Sequence, residues 1–266
     1  DADFACEGAS DDFIDFIHRR TENEEIYFLV NRNDRPASVR VSFRVGGGQA
    51  VRWDPVTGEA FGLPGFRGVR GRTGGVLEFL PFQSMFIVFP RTAMKGVRKG
   101  VKPGKEVLVL HGPWTVRFDE QWGGPASAIF DELTDWTLRP EEGIRYYSGA
   151  AVYSKRFDFG QDGRGHVGRL LLHLGVVKNI ASVRLNGKDL GVVWTEPWAV
   201  EVTGALREMD NLLEITVVNL WPNRLIGDAG LPEEGRVTRT NIGVYKKDSP
   251  LLASGLLGPV TIQASI

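Results

Sequence analysis

The chain has 266 residues, of which 42% are apolar and 24% charged, and its formal net charge is −1. That length suits two globular domains, because one domain usually takes about 100–150 residues. The even charge balance argues against nucleic-acid binding through a strongly basic surface. Cys6 is the only cysteine in the sequence, so neither an intrachain disulfide nor a thiolate metal cluster can form. No apolar run approaches the roughly 20 residues that span a bilayer, and we expect no membrane partner.

The first third of the chain has the pattern of short β-strands. Apolar and polar residues alternate over 39–45 with a period of two, which predicts a half-buried strand. The apolar run 26–30 is predicted to pair with that strand, with residues 31–36 as the turn between them. Further short apolar runs follow before residue 90. Together they predict a small β-sandwich over residues 1–93.

A basic segment separates the two halves of the chain. Residues 94–105 contain five Lys or Arg side chains, no acid, and several Gly and Pro residues. One interpretation is a patch that binds nucleic acid or an acidic glycan, and the other is a solvated linker. No aromatic residue is interleaved with the basic ones, which favours the linker. We therefore assign residues 94–106 to a linker and expect no nucleic acid as a partner.

The second half repeats the β pattern more strongly. Residues 151–157 alternate, and Asn186-Gly187 stands between two apolar runs, where a tight hairpin needs positive φ. No long helical period occurs in the sequence, and at most residues 205–209 are predicted to make a short helical turn. Residues 107–266 are therefore predicted to form a jelly-roll-like sandwich, so the fold class is all-β with two consecutive β-sandwich domains.

Three motifs were tested for chemistry and give weak signals. Gly163–Gly168 matches the letters of a dinucleotide-binding fingerprint, but the segment 169–174 after it has the pattern of a strand and not of the required helix. Asp158 and Asp162 could offer oxygen ligands to a structural Ca²⁺, but the set of ligands is incomplete. The four histidines lack metal-ligand spacing, and His18 is expected to make a structural hydrogen bond.

Two segments rich in aromatic residues are better candidates for a binding site. Indole rings stack on the C–H faces of sugars, while amide, guanidinium and carboxylate groups bond the hydroxyls. Glu196 stands between two tryptophans that could raise its pKa, although an acid in a surface loop is the alternative. For the second segment, the alternative is that Trp221 plugs the end of the sandwich and that Arg224 and Asp228 tie down a loop. The predicted carbohydrate-binding residues are Trp194, Glu196, Trp198, Trp221, Asn223, Arg224 and Asp228.

The residues of both halves resemble known glycoside hydrolases. The segments 147–157, 183–191, 197–198 and 210–215 are similar to the galactose-binding-like jelly roll of family 2 glycoside hydrolases. Trp221–Asp228 and 254–260 resemble the C-terminal end of the family 106 α-L-rhamnosidases. In the first half, the segments 17–20, 26–31, 43–46 and 53–58 resemble the region that follows the catalytic domain in that family. Residues 1–4 resemble the chain as it leaves that domain, which favours a fragment.

The resemblance implies an upstream (β/α)₈ barrel that carries the catalytic acid and base. This sequence has no alternating strand–helix pattern, so no catalytic residue is carried over. We weigh an accessory region, a self-standing carbohydrate-binding protein, and a small β-sandwich glycosidase or polysaccharide lyase. The expected partners are that barrel and a rhamnose-containing plant or algal polysaccharide. We expect no cofactor beyond a structural Ca²⁺, and a bacterial exported location that is periplasmic or extracellular.

Overall fold

The computed structural model describes residues 2–8, 13–98, 104–160, 168–241 and 243–265. Within these ranges almost all regular structure is β-strand, and the pairings between named strands are antiparallel. The chain divides into two compact units, Asp1–Lys102 and Pro103–Ile266. The prediction of an all-β fold is confirmed.

The described residues of the first unit form two sheets around one apolar core. Its strands are β1 (Phe4–Glu7), β2 (Ile14–Arg20), β3 (Glu24–Asn31), β4 (Ala37–Phe43), β5 (Val51–Trp53), β6 (Ala60–Gly62), β7 (Arg67–Val69), β8 (Arg72–Phe79) and β9 (Ser84–Pro90). One sheet has the order β1-β4-β8-β7 and the other β2-β3-β9-β5-β6. Val41 and Phe43 of the first sheet meet Tyr27, Leu29 and Ile87 of the second in the core, which is the packing of a β-sandwich.

The predicted pairing of β3 with β4 is wrong. β3 pairs with β2 and β9, whereas β4 pairs with β1 and β8, so the two strands lie in different sheets. The connection between them is held by Asn31, whose Nδ2 donates to Arg35 O and Leu80 O, at 2.9 Å each. The chain therefore crosses from one sheet to the other at this point. Both strands keep the predicted alternation, because each buries one face in the shared core.

The described residues of the second unit form three sheets and two short α-helices. Its strands are β10 (Lys105–Val109), β11 (Trp114–Phe118), β12 (Ala128–Phe130), β13 (Ala150–Phe157), β14 (Arg169–His173), β15 (Val176–Lys178), β16 (Ile180–Leu185), β17 (Lys188–Val193), β18 (Ala199–Glu201), β19 (Asn211–Val218), β20 (Gly255–Gly258) and β21 (Thr261–Ser265). The sheet orders are β12-β11-β13-β19-β16-β17, β10-β21-β14-β18 and β15-β20. The helices are α1 (Glu142–Arg145) and α2 (Pro222–Ala229).

Large aromatic side chains fill the core of this unit, and Trp136, Tyr147 and Tyr153 pair their polar atoms. Trp136 Nε1 donates to Tyr153 Oη at 2.6 Å, and that hydroxyl also accepts from Leu256 N at 3.1 Å. Tyr147 Oη donates to Ala150 O at 2.8 Å. Buried indole and phenol groups need such partners, since an unpaired polar atom in the interior is costly. These bonds fix the end of the sandwich on which α2 sits.

The hairpin predicted at Asn186-Gly187 is confirmed. β16 pairs with β17 so that Leu185 faces Lys188, and the two turn residues have φ of 55° and 80°. The helical turn predicted at 205–209 is wrong, because these residues have irregular backbone and no helix. Helix α2, by contrast, lies in a segment that was interpreted as a loop.

Three further sequence predictions concern the Gly-rich motif, the linker and membrane-spanning segments. The strand predicted after the Gly-rich motif is confirmed as β14, while residues 163–167 and Asp162 lie outside the described ranges. In the predicted linker, the backbone of Arg98 bonds β6 through both its N–H and its carbonyl, and β10 begins at Lys105. The boundaries 1–93, 94–106 and 107–266 stay predictions. In the described residues, no helix has the length and apolar character to cross a bilayer.

Candidate functional site

Helix α2 follows strand β19 and starts at a proline. Pro222 occupies the first helical turn, where its fixed φ suits the helix and its missing N–H costs no bond. The helix is eight residues long and ends before Gly230, and Pro232 cannot continue it. So short a helix is marginal by itself, and its stability has to come from tertiary contacts.

A buried polar network supplies those contacts. Ser148 Oγ accepts from Arg224 N at 3.1 Å and donates to Leu220 O at 2.8 Å. Asn223 Nδ2 donates to Leu252 O at 2.7 Å and to Ser254 Oγ at 3.0 Å, while Asn223 Oδ1 accepts from Leu252 N at 2.8 Å. Asn223 is 1% exposed, so its amide bonds the protein and not solvent.

Arg224 and Asp228 are also directed inward. Arg224 Nη2 lies 2.9 Å from Asp228 Oδ1, and both side chains are more than nine-tenths buried. The other oxygen, Asp228 Oδ2, accepts from Thr238 N at 2.7 Å and from Thr238 Oγ1 at 2.6 Å. Val237 N reaches Oδ1 at 3.3 Å. The aspartate therefore ties the segment after the helix to α2.

The described residues of that segment, 231–241 and 243–248, form one wall of a cleft beside α2. The cleft, which we call the arginine cleft, has a volume of about 470 Å³, within the range of small-ligand sites. Leu225, Asp228 and Ala229 form the helix side. The opposite side is formed by polar and aromatic residues of the tied segment: Glu233, Arg236, Thr238, Arg239, Thr240, Gly243 and Tyr245. Guanidinium, hydroxyl and phenol groups are thus collected in one concave surface.

A smaller cleft of about 280 Å³ lies against another face of the same helix. Arg224, Tyr146 and Lys247 are among the residues that line it, with Glu142 at its edge on α1. Arg224 Nε is buried there without a hydrogen-bond partner in the described residues. A Cβ added at Gly227 would lie 2.7 Å from Arg224 Nη2, so glycine lets the guanidinium pack against the helix.

Two tryptophans form an exposed aromatic pair at the start of α2. The ring centroids of Trp122 and Trp221 are 5.2 Å apart with an interplanar angle of 77°, the edge-to-face arrangement. Trp221 is 49% exposed and Trp122 is 36% exposed. The pair therefore presents indole surface to solvent, the type of surface that a sugar face stacks on.

The other predicted segment, 194–198, forms a turn after β17. Trp194 is 59% exposed, whereas Trp198 packs on the core and its carbonyl accepts from Leu174 N at 2.9 Å. Burial raises the pKa of Glu196, and nearby Lys178 opposes that rise. Neither cleft beside α2 includes residues 194–198 in its lining.

The structure thus separates the seven predicted site residues into two groups. Trp221, Asn223, Arg224 and Asp228 come together on α2, and the 194–198 turn is a separate surface. In the α2 group, only Trp221 faces solvent, while the three polar side chains hold the walls of the clefts. Among the described residues, no group of three or more His, Cys, Asp or Glu side chains is placed to hold a metal ion.

Sequence reasoning missed the residues that line the open part of the site. Trp122, Arg236, Arg239 and Tyr245 were not among the predicted residues. Trp122 ends a turn closed by Gly123, and the other three lie in a segment with no regular period. Only the density of basic and aromatic residues over 236–247 could have marked that segment in the sequence.

Comparison with known proteins gives three findings. A family model described as alpha-L-rhamnosidase, glycoside hydrolase family 106, matches residues 1–63. The structure of a rhamnosidase from Novosphingobium sp. PP1Y aligns with 98% of this chain at 36% identity and a TM-score of 0.82. A Formosa agariphila protein named "Putative beta-glucuronidase" is 36% identical over 189 residues, 62% of this chain.

The matched proteins are much longer than this chain. It spans 24% of the Novosphingobium rhamnosidase chain and 16% of the Formosa protein. The predicted resemblance to rhamnosidase-type glycoside hydrolases is confirmed, and the chain is a region associated with glycoside hydrolases.

Proposed function

We propose that this chain is a non-catalytic accessory region of a rhamnosidase-like glycoside hydrolase, and that its second unit contacts carbohydrate. The observation that carries the proposal is the alignment of 98% of the chain, at a TM-score of 0.82, with a quarter of a rhamnosidase. The described residues form sandwiches of antiparallel strands, and a (β/α)₈ barrel needs parallel strands alternating with helices. A catalytic barrel, if one accompanies this chain, is therefore a separate body and a proposed partner.

The surface around α2 supports the contact with carbohydrate. The Trp122–Trp221 pair offers an exposed apolar ring surface, and the arginine cleft offers hydroxyl and guanidinium donors. Saccharide sites combine these two kinds of group, because a sugar ring has an apolar face and a polar rim. In this proposal, Asn223, Arg224 and Asp228 act as positioning residues: they fix the helix and the tied segment on which the contacts are made.

Saccharide titration of the purified chain tests this proposal. We expect weak binding of a rhamnose-containing oligosaccharide by calorimetry, and at least a fivefold loss of affinity in Trp221→Ala and in Trp122→Ala. The matched variant is Trp194→Ala, which removes an exposed tryptophan of the 194–198 turn and should keep the wild-type affinity. Loss of affinity in Trp194→Ala alone would move the site to the 194–198 turn. Absence of binding to every rhamnose-containing oligosaccharide would contradict the carbohydrate role.

The proposal also includes the location of the protein and the polymer it meets. Polysaccharides are too large to enter a bacterial cell intact, so a region that contacts them belongs in an exported protein, periplasmic or extracellular. We propose a rhamnose-containing plant or algal polysaccharide as the polymer. Fractionation of the native host with an antibody to this chain tests the location, and recovery from the cytoplasm alone would contradict it.

A further inference from the structure

The charged side chains that line the arginine cleft differ in how many bonding partners they have within the protein. Four of its lining residues carry charge: Asp228, Glu233, Arg236 and Arg239. Asp228 is occupied by its ion pair with Arg224 and by three donors from Val237 and Thr238. Because Arg224 on the same helix balances its negative charge, Asp228 adds little to the electrostatic potential in the cleft.

The two arginines keep most of their donors free. Arg236 Nε donates to Leu231 O at 3.0 Å, which orients the side chain without neutralising it. Arg239 makes neither a hydrogen bond nor an ion pair with any residue of the described part of the chain. No salt bridge joins Glu233 to either arginine within the same residues. Because Arg224 balances the charge of Asp228, the remaining charged groups of the cleft are two guanidinium groups and the carboxylate of Glu233. The cleft therefore has a net positive charge.

We propose that the arginine cleft binds an acidic sugar residue, whose anion is a uronate carboxylate or a sulfate ester, through Arg239 and Arg236. Guanidinium groups suit this task, because they stay charged and present planar pairs of N–H donors to oxyanions. Tyr245, half-buried in the same wall, supplies a ring for the sugar face, and Thr238 lies between the arginines in sequence. The inference rests on the proposed carbohydrate function and narrows it to acidic saccharides.

Matched pairs of oligosaccharides test the inference by calorimetry on the full chain. One pair is a tetrasaccharide of alternating rhamnose and galacturonate and the same molecule after reduction of its carboxyl groups. The other is a sulfated rhamnose tetrasaccharide and its desulfated form. We expect one acidic member to bind about tenfold tighter than its neutral match, with an advantage that shrinks as salt is added. The pair that shows the difference identifies the anion.

Substitutions of the cleft arginines test whether the preference for acidic saccharides arises in the arginine cleft. Arg239→Gln should lower affinity for the acidic saccharide more than affinity for its neutral match and so remove most of the acidic preference, while the fold is kept because Arg239 is exposed and contributes no internal bond. The control is Arg156→Gln, an exposed arginine on β13, which should change neither. Equal binding of acidic and neutral members, or an acidic preference that survives in the double variant Arg236→Gln/Arg239→Gln, would overturn the inference while the proposed function stands. Failure of all four oligosaccharides to bind would overturn both.

Discussion

Arg224 and Asp228 stand one helical turn apart on α2 and form an ion pair of 2.9 Å with both side chains almost fully buried. Besides pairing with Arg224, Asp228 accepts hydrogen bonds from the backbone of the segment that forms the far wall of the arginine cleft. Helix, cleft wall and core network therefore depend on one carboxylate.

Replacing Asp228 should be strongly destabilising. Asp228→Ala leaves Arg224 as an uncompensated buried cation and releases the amides of Val237 and Thr238, and we expect a loss of about 3–5 kcal/mol in the free energy of unfolding. Six of the seven tryptophans lie in the second unit, so tryptophan fluorescence in urea reports its unfolding. The control is Arg156→Ala, which breaks an exposed ion pair with Asp210 and should cost about 0–1 kcal/mol. Equal losses in the two variants would show that the buried pair is not needed.

Gly227 offers a test in which helix propensity and packing oppose each other. Alanine in a helix is favoured over glycine by about 1 kcal/mol. At this position, however, a Cβ would lie 2.8 Å from Tyr146 Cβ and closer still to the Arg224 guanidinium. We expect packing to dominate and Gly227→Ala to cost about 1–3 kcal/mol in urea unfolding. Gly204→Ala is the control, since its Cβ would meet only the end of Lys188 at 3.6 Å. A stabilised Gly227→Ala protein would contradict the described packing.

Glu196→Gln should stabilise the protein at neutral pH and not in acid. Burial raises the pKa of the folded carboxyl above its ordinary value of 4.5, so the folded state holds the proton more strongly than the unfolded chain. Stability is then lost as pH rises from about 4.5 through the folded pKa. Glutamine removes this loss because it stays neutral. We expect the Tm of the variant to match wild type at pH 4 and to exceed it at pH 7. Glu234→Gln controls for the removal of one charge, and an equal gain at both pH values would refute the mechanism.

Asp3 should titrate below its ordinary range because of His18. The ring nitrogens of His18 lie 3.1 Å from Asp3 Oδ2 and 2.8 Å from Glu25 Oε2, which confirms the structural hydrogen bond expected for this histidine. The His18 bond, supported by Arg44, holds the pKa of Asp3 below 3.8. The stabilisation this gives is complete above pH 3.8 and is lost as pH falls through the folded pKa.

Carboxyl ¹³C NMR titration checks the assignment. His18→Gln should move the Asp3 midpoint up toward 3.8, and Arg44→Gln should move it in the same direction by a smaller amount, because the His18 hydrogen bond is the larger cause. Glu25→Gln, which removes the other carboxylate bound to the ring, tests whether the histidine is oriented by both acids. An Asp3 midpoint that is the same in wild type and His18→Gln would contradict the role of the histidine.

Local sequence patterns predicted the strands but not all of their partners. Asn186-Gly187 determines its hairpin because the turn residues themselves supply the positive φ. The pairing of β3 could not be predicted in this way, since its neighbour β9 lies more than 50 residues further along the chain. Alternation shows which face of a strand is buried, and it carries no information about which strand lies beside it.

The residues of the candidate site could be predicted only in part, again because local sequence patterns do not show which segments lie side by side. Trp221–Asp228 was predicted as a binding segment in a loop, and its helix was not recognised, because an eight-residue helix held by Asn223 and by the Arg224–Asp228 pair has too short an apolar pattern. The binding role of this segment stays a prediction. The residues that open to solvent, such as Arg239 and Tyr245, lie in an irregular segment whose position depends on the bonds from Asp228. Such a position is a tertiary property, and the local sequence does not encode it.

We propose that this chain contacts saccharides without cutting them, and an assay for turnover by the purified 266-residue protein tests this most directly. Aryl α-L-rhamnosides and rhamnose-containing polysaccharides would be incubated with the chain, with released phenol, reducing ends and unsaturated products measured. A full-length rhamnosidase serves as the positive control. We predict no release above the buffer blank, in wild type and in Glu196→Gln alike. Robust turnover that co-purifies with the chain and disappears in Glu196→Gln would contradict the account.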